Sequence, residues 1–136
     1  MNLRRLLIAI AAIFVSWQIT DFIVHFVILS PVYAETEELW RPMEQMKMGL
    51  LAFVSLVGAA VFAWTYARFV GEKRLTAGVS YGLLWGFAFG TSMAYGSYAS
   101  MPIPYHMALV WFVGTLAEFG AAGLLVGWLI RPPVAA

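Results

Sequence analysis

The stretch that decides the fold is Leu6–Leu29, which reads LLIAIAAIFVSWQITDFIVHFVIL and contains one acidic residue, Asp21, and one histidine, His25. A helix needs about 20 mostly apolar residues to cross the hydrocarbon core of a bilayer, because each residue rises about 1.5 Å. Three further stretches meet this requirement: Met48–Val70, Leu75–Ala99 and Met107–Ile130. The sequence therefore predicts an all-α, polytopic membrane protein, with a four-transmembrane-helix bundle as the single domain of residues 1–136.

The composition of the whole chain favours the same class. Of its 136 residues, 62% are hydrophobic and 11% are charged, whereas soluble domains have about 45–50% apolar and about 25% charged residues. The absence of cysteine excludes disulfides, thiol catalysis and cysteine-ligated metal centres. The formal net charge of +1 gives no basis for a nucleic-acid-binding surface. The expected partner is therefore the lipid bilayer, and no nucleic acid is expected.

Lysine and arginine are distributed unequally over the short connections between the four stretches. Cytoplasmic connections of membrane proteins carry an excess of these residues. Arg41 and Lys47 fall between the first two stretches, in a connection that also carries most of the acidic residues. The others fall at the opposite ends of the stretches: Arg4, Arg5, Arg68, Lys73, Arg74 and Arg131. We expect both termini in the cytoplasm and, in a bacterium, a multi-pass protein of the inner membrane.

Glycines recur at four-residue intervals in the third stretch and again in the fourth. They are Gly78, Gly82, Gly86 and Gly90, followed by Gly123 and Gly127. This spacing places small residues on one helix face, where two helices can approach closely and pack in lipid. Packing within one chain is the preferred interpretation. Assembly as a homo-oligomer, or as a subunit of a membrane complex, is the alternative.

Ionisable side chains within the predicted spans are the candidate functional residues, because a charge near the bilayer centre costs about 2.5–3.5 kcal/mol. Gln18, Asp21 and His25 share one face of the first helix, since successive helical residues turn by about 100°. Glu118 of the fourth stretch lies at a depth similar to that of Asp21. Asp21 and Glu118 are therefore candidate proton carriers.

Other polar residues of the outer half extend this candidate site. Tyr95 and Tyr98 belong to the outer part of the third stretch, and Arg41 is placed to fold back and pair with Asp21 or Glu118. We predict an outer-half polar pocket that binds or passes a proton, a cation or a small polar solute. One alternative is that these groups only hydrogen-bond between helices and fix the packing. Another is a non-catalytic accessory subunit of a larger membrane complex. No catalytic residue is predicted, and an enzyme is the less expected class.

A third hypothesis is a copper-handling protein that faces the periplasm. Thioether and imidazole groups are suitable copper ligands, and the candidate ligands are His25, His106, Met43 and Met46. Methionine is also a common filler of irregular apolar gaps, so packing is the preferred interpretation of these methionines. No cofactor is expected, and copper is the one alternative.

Five short motifs, taken together, suggest a similarity to a known class of membrane proteins. They are Asp21-x3-His25, Tyr33, Leu39-Trp40-Arg41-Pro42, the repeated glycines of the third stretch and Gly123-x3-Gly127. With these motifs the chain resembles small four-helix integral membrane proteins of bacteria. The resemblance covers most of the chain and implies a four-helix bundle, and it brings no catalytic residue to these positions.

Overall fold

The computed structural model describes residues 2–130, and this part of the chain is all-helical, without strands. The helices are α1 (Leu3–Asp21), α2 (Ser30–Glu35), α3 (Met48–Phe69), α4 (Leu75–Gly90), α5 (Gly96–Ser100) and α6 (Tyr105–Leu129). Two short 3-10 helices, Glu37–Leu39 and Met43–Gln45, lie between α2 and α3. The predicted all-α class is confirmed. Arg131, used in the charge argument, lies outside the described residues.

Three helical segments are long and apolar enough to cross a membrane, namely Leu3–Ile28, Met48–Phe69 and Tyr105–Leu129. They agree with three of the predicted spans to within a few residues at each end. The fourth predicted span, Leu75–Ala99, is divided, because α4 ends at Gly90 after 16 residues. The membrane-protein class thus has support from three helices, and the four-helix count stays a prediction.

Two helices change from α-helical to π-helical hydrogen bonding. The helix α1 continues as a π-helical segment over Phe22–Ile28, and α4 continues as one over Thr91–Tyr95. The second segment leads directly into α5. π-helical turns are rare and are found frequently at functional sites. Both π-helical segments lie beside α6, and this part of the bundle is therefore a candidate location for a functional site.

Helix α6 packs against both α1 and α4, and its contact with α4 is built on glycine. A Cβ atom at Gly78 would lie 2.7 Å from the Cα atom of Gly127, and one at Gly82 would lie 2.9 Å from the Cα atom of Gly123. Real Cβ atoms essentially never approach other atoms within 3.0 Å. The backbones of α4 and α6 are therefore too close for any larger residue at these positions. Gly86 and Gly90 are buried in the same contact.

Buried side chains form two apolar cores at different levels of the bundle. The first core joins α1, α3 and α6, and its larger members are Ile13, Trp17, Phe62, Tyr66 and Val126. The second core joins the two π-helical segments, the 101–104 connection and the start of α6, and its members are Val24, Leu29, Ala94, Ile103, Met107 and Ala108. Helix α3 contributes only to the first core, because its buried residues all lie between Ala59 and Ala67.

Candidate functional site

A small polar cavity lies where α1 passes into its π-helical segment and faces α6. Its volume is about 30 Å³, and it is lined by Asp21, Val24, His25, Met93, Trp111, Gly114, Thr115 and Glu118. Both π-helical segments contribute to its wall, the first through Val24 and His25 and the second through Met93. A cavity needs about 10–15 Å³ of space measured with a water-sized probe to hold one water molecule. The polar cavity therefore has room for a species of the size of water.

Two carboxyl groups from different helices line the polar cavity. Asp21 is the last residue of α1, and Glu118 lies in the middle of α6; both are half-buried. The two groups interact electrostatically. The Glu118 Oε1 atom is fully buried and has no hydrogen-bond partner among the described residues. A buried oxygen without a partner costs about 1–3 kcal/mol, so this atom marks the polar cavity as a candidate functional site.

His25 connects this carboxyl pair to two further ring side chains. Its Nε2 atom lies 3.8 Å from the Asp21 Oδ1 atom, and its Nδ1 atom lies 2.7 Å from the Tyr33 hydroxyl oxygen. The indole N–H of Trp111 donates to the same hydroxyl oxygen at 3.0 Å. The imidazole and phenol rings stack with their centroids 5.9 Å apart. The spatial order of the polar groups is therefore Glu118, Asp21, His25 and Tyr33.

Trp40 packs against the Tyr33 ring. Its ring meets those of Tyr33 and Trp111 edge to face, at centroid distances of 5.3 and 6.1 Å. Its indole N–H donates to the Thr36 hydroxyl at 2.9 Å, and that hydroxyl donates to the Val32 carbonyl oxygen at 2.8 Å. Tyr33, Trp40 and Trp111 together form what we name the aromatic cap. Its hydrogen bonds hold Tyr33 in place above His25.

The bend that positions Tyr33 lies at Leu29, between the first π-helical segment and α2. Pro31 occupies the first turn of α2, where its missing N–H costs no helical hydrogen bond. In a straight α-helix, residues eight positions apart are separated by about 12 Å along the axis, so the contact between His25 and Tyr33 requires this bend. Burial raises the pKa of Tyr33 above its usual value, and the phenol therefore keeps its proton at neutral pH.

Three of the predicted pocket residues line the polar cavity, whereas Gln18 of α1 and Arg41 of the connection between α2 and α3 do not. Asp21, His25 and Glu118 line it. Gln18, although it is on the same turn of α1 as Asp21, is exposed and does not. Arg41 is exposed as well, and no ion pair joins it to Asp21 or Glu118 within residues 2–130.

Tyr95 and Tyr98 also lie outside the wall of the polar cavity. Their rings contact that of Tyr105, at centroid distances of 6.4 and 5.7 Å. They belong to a separate group of tyrosines near the junction of α5 and α6. Their predicted part in the pocket therefore has no support from its lining.

The proposed copper ligands are dispersed along the chain. His106 and Met43 are exposed, and Met46 follows the second 3-10 helix. None of these three lines the polar cavity with His25. Between residues 2 and 130, no three His, Asp or Glu side chains are grouped so that they could hold a metal ion. Copper binding stays a prediction without a geometric observation in its favour.

Sequence reasoning missed Tyr33 and Met93 as neighbours of the site. Trp111 is seven residues before Glu118 and shares its helix face, which is a signal that could have included it. Tyr33 reaches His25 only through the bend at Leu29. The end of the first predicted span at Leu29, followed by Pro31, marks a break there, but no local pattern in the sequence specifies the direction of the bend.

Comparison of the chain with protein-family models, with curated proteins and with solved structures finds no match. The polar cavity and the groups that surround it are therefore the features from which a function can be inferred.

Proposed function

We propose that the protein is an integral membrane protein in which the polar cavity binds or passes a proton, a cation or a small polar solute. The observation that carries this proposal is the buried Glu118 Oε1 atom, which has no partner among the described residues and lies beside Asp21 and His25. Ionisable side chains that face the interior of a membrane bundle commonly mark proton and ion pathways. The combination of two carboxyl groups and one imidazole is suited to such a pathway.

The proposed topology has four spans. The fourth is the helical path from Leu75 through the second π-helical segment to Ser100, which exceeds the length of about 20 residues that a span requires. The loop with Arg41 and Lys47 adjoins α2, at the end of the bundle near the aromatic cap. The other basic residues support cytoplasmic termini by the positive-inside rule. The polar cavity then lies in the outer half of the membrane, in a bacterium that of the inner membrane.

A purely structural role for Asp21, His25 and Glu118 does not explain two features of the site: the Glu118 oxygen without a partner in the described chain, and the long distance between Asp21 and His25. Groups that only fix helix packing are expected to have hydrogen-bond partners, as Trp17 and Thr115 do: they donate to the Glu118 and Trp111 carbonyl oxygens at 3.2 and 2.8 Å. The Glu118 carboxyl differs, because one of its oxygens is buried without a partner within the described chain. The distance of 3.8 Å between Asp21 and His25 also exceeds that of a hydrogen bond.

The test is transport by the purified protein in liposomes. Proton movement is followed with an enclosed pH indicator under an imposed membrane potential, and Na⁺ and K⁺ movement is followed separately. We expect Glu118→Gln and Asp21→Asn to lower the rate about tenfold or more, the equivalent of about 1.4 kcal/mol, while their unfolding stays close to that of the wild type. Glu38→Gln, a change to an exposed carboxyl in the 36–40 connection, is the matched control.

Two outcomes would contradict this proposal. In the first, the wild-type protein moves no proton, Na⁺ or K⁺ faster than empty liposomes and takes up no small polar solute. In the second, Glu118→Gln and Asp21→Asn both fold and transport at the wild-type rate.

A second candidate function is that of an accessory subunit, and the surface of α3 favours it. The first half of α3 presents a row of exposed large apolar side chains: Leu50, Leu51, Phe53, Val54, Leu56 and Val57. The buried residues of α3 lie only in its second half, so this row is available to lipid or to a partner helix. Purification in mild detergent tests the candidate. A stoichiometric partner that is lost in Phe53→Ala would support it, and a protein that purifies alone would contradict it.

A further inference from the structure

The hydrogen bonds around Tyr33 favour one tautomer of His25. An indole N–H can only donate, and a phenol hydroxyl has one hydrogen to give. Trp111 donates to the Tyr33 oxygen, so the phenol hydrogen is free for its other neighbour, the His25 Nδ1 atom at 2.7 Å. No other acceptor is found for this hydrogen among the described residues. This arrangement favours Nδ1 as the acceptor, with the hydrogen of the neutral ring on Nε2. The other tautomer, in which Nδ1–H donates to the Tyr33 oxygen, is the alternative that the NMR test below distinguishes.

The hydrogen on Nε2 lies on the side of the ring that faces Asp21. The distance from Nε2 to Asp21 Oδ1 is 3.8 Å, which is too long for a direct hydrogen bond. Both groups line the polar cavity, whose volume of about 30 Å³ fits one water molecule. Asp21, His25 and the unpartnered Glu118 oxygen supply the two to four polar partners that a buried water requires. A single water can thus complete the connection among these three groups.

The same cavity is poorly suited to a metal cation. Hard cations such as Mg²⁺ and Ca²⁺ take about six to eight oxygen ligands, whereas only three side chains of the cavity wall carry oxygen: Asp21, Thr115 and Glu118. The Thr115 hydroxyl already donates to the Trp111 carbonyl oxygen. The Nε2–H group of His25 also directs its partially positive hydrogen toward the cavity, and this hydrogen would repel a cation there. Mutual repulsion of two adjacent carboxylates is instead relieved when one of them holds a proton.

We propose that the species transferred is the proton and that Tyr33 relays it between water at the end of the bundle and His25. This inference rests on the proposed function of the polar cavity. Tyr33 is suited to the task because it lies in α2, beyond the end of the apolar segment Leu3–Ile28, and is only half-buried. The titratable groups along the path are Tyr33, His25, Asp21 and Glu118, and the second π-helical segment contributes only Met93 to the cavity wall.

In the proposed proton transfer, each bond to hydrogen that breaks is matched by one that forms. The Tyr33 O–H bond breaks as an Nδ1–H bond forms on His25, and the phenolate oxygen takes a proton from hydronium at the end of the bundle. The Nε2–H bond breaks at the same time and its proton passes to the bridging water, which gives one of its own protons to the Asp21 carboxylate. The net result is one proton moved from outside water to Asp21. Reversal of these steps returns the proton to the outside; net transport requires the Asp21 proton to leave toward the other side and the neutral His25 ring to regain its hydrogen on Nε2 before the next transfer.

The test uses ¹⁵N NMR of the full-length protein with labelled histidine in lipid nanodiscs. His106→Gln removes the only other histidine and so assigns the signals of His25. We expect the Nε2–H tautomer in the wild type and a mixture of tautomers in Tyr33→Phe. Tyr95→Phe is the matched control, because it removes a hydroxyl that does not line the polar cavity, and it should leave the tautomer unchanged.

A parallel transport measurement compares the same variants. Tyr33→Phe should lower proton movement about tenfold without changing Na⁺ or K⁺ movement, and Tyr95→Phe should keep the wild-type rate. The Nδ1–H tautomer in the wild-type protein would overturn the inference even if Tyr33→Phe fails to fold. Transport of Na⁺ or K⁺ in place of protons would overturn the inference and leave the proposed function intact. A wild-type protein that transports nothing would overturn both.

Discussion

Helix α6 packs tightly against α4 but leaves a small cavity where it meets the end of α1. Against α4, the glycines at 78, 82, 123 and 127 bring the backbones so close that no Cβ atom fits. Against the end of α1, the polar cavity keeps room for one water-sized species and holds a carboxyl oxygen without a partner within the described chain. Both partner helices become π-helical toward the polar cavity. The comparison indicates that the glycine contact supplies stability, whereas the polar cavity holds a buried polar atom for which the described chain offers no partner.

The largest expected effect is on the glycine contact. Gly82→Ala places a Cβ atom against the backbone of α6, at 2.9 Å from Gly123 Cα, and backbone atoms cannot move aside as a flexible side chain can. Overpacking of this kind usually costs about 1–3 kcal/mol, and we expect the upper end of that range. The measurement is the free energy of unfolding in detergent, followed by circular dichroism.

The matched control for this change is Gly49→Ala in α3. A Cβ atom at Gly49 has nothing within 4 Å, and alanine favours the helix by up to about 1 kcal/mol. Gly49→Ala should therefore be as stable as the wild type or more stable. If both alanine variants unfold alike, the close approach of α4 and α6 is not what stabilises the bundle.

The second largest effect is a gain in the free energy of unfolding, and it is expected for Glu118→Met. Glu118→Met replaces the carboxyl by an apolar group of similar length. It should raise the free energy of unfolding by up to about 2 kcal/mol, because the buried Oε1 atom has no partner within the described residues and immobilising a water beside it costs up to about 2 kcal/mol. The same variant should lose proton movement. Such an exchange of function for stability is common at functional sites. A destabilised Glu118→Met variant would show instead that the carboxyl fixes the packing.

Thr115→Val should have a smaller effect. The hydroxyl donates to the Trp111 carbonyl oxygen at 2.8 Å, and a hydrogen bond of this kind contributes about 0.5–1.5 kcal/mol to stability. We expect a loss near the lower limit, with proton movement retained, since the path through Tyr33 does not use this hydroxyl. Loss of transport in a stable Thr115→Val variant would place the threonine on the path.

The smallest effect is expected for Gln18→Ala. Gln18 is exposed and does not line the polar cavity, and exposed substitutions usually change stability by about 0.5 kcal/mol or less. Transport and unfolding should both match the wild type. A clear loss of transport in Gln18→Ala would show that Gln18 belongs to the functional site, although it does not line the polar cavity.

The features that follow from periodicity were accessible from the sequence. Length and hydropathy predict the apolar helices, and the four-residue spacing predicts that the glycines share a face. Asp21 and His25 are one turn apart, and Glu118 lies at a similar depth, so these three could be grouped. A single helix pattern cannot show which helix covers which face, and for this reason Gln18 could not be separated from Asp21.

The features that depend on local irregularity were not accessible. The π-helical segments change the direction of each side chain after Asp21 and after Gly90, and no motif in the chain marks them. The contact of Tyr33 with His25 depends on the bend at Leu29 and on the aromatic cap. The cap joins residues that are far apart in the chain, Trp111 and Tyr33 among them.

The most direct test of the central claim is infrared difference spectroscopy of the protein in nanodiscs across a step in pH. The account predicts a carboxyl C=O band that appears and disappears reversibly with the step, shifts in D₂O and is absent from the double variant Asp21→Asn, Glu118→Gln. Identical carboxyl bands in the wild type and in the double variant would mean that the buried carboxyl pair exchanges no proton with water, and this result would contradict the account.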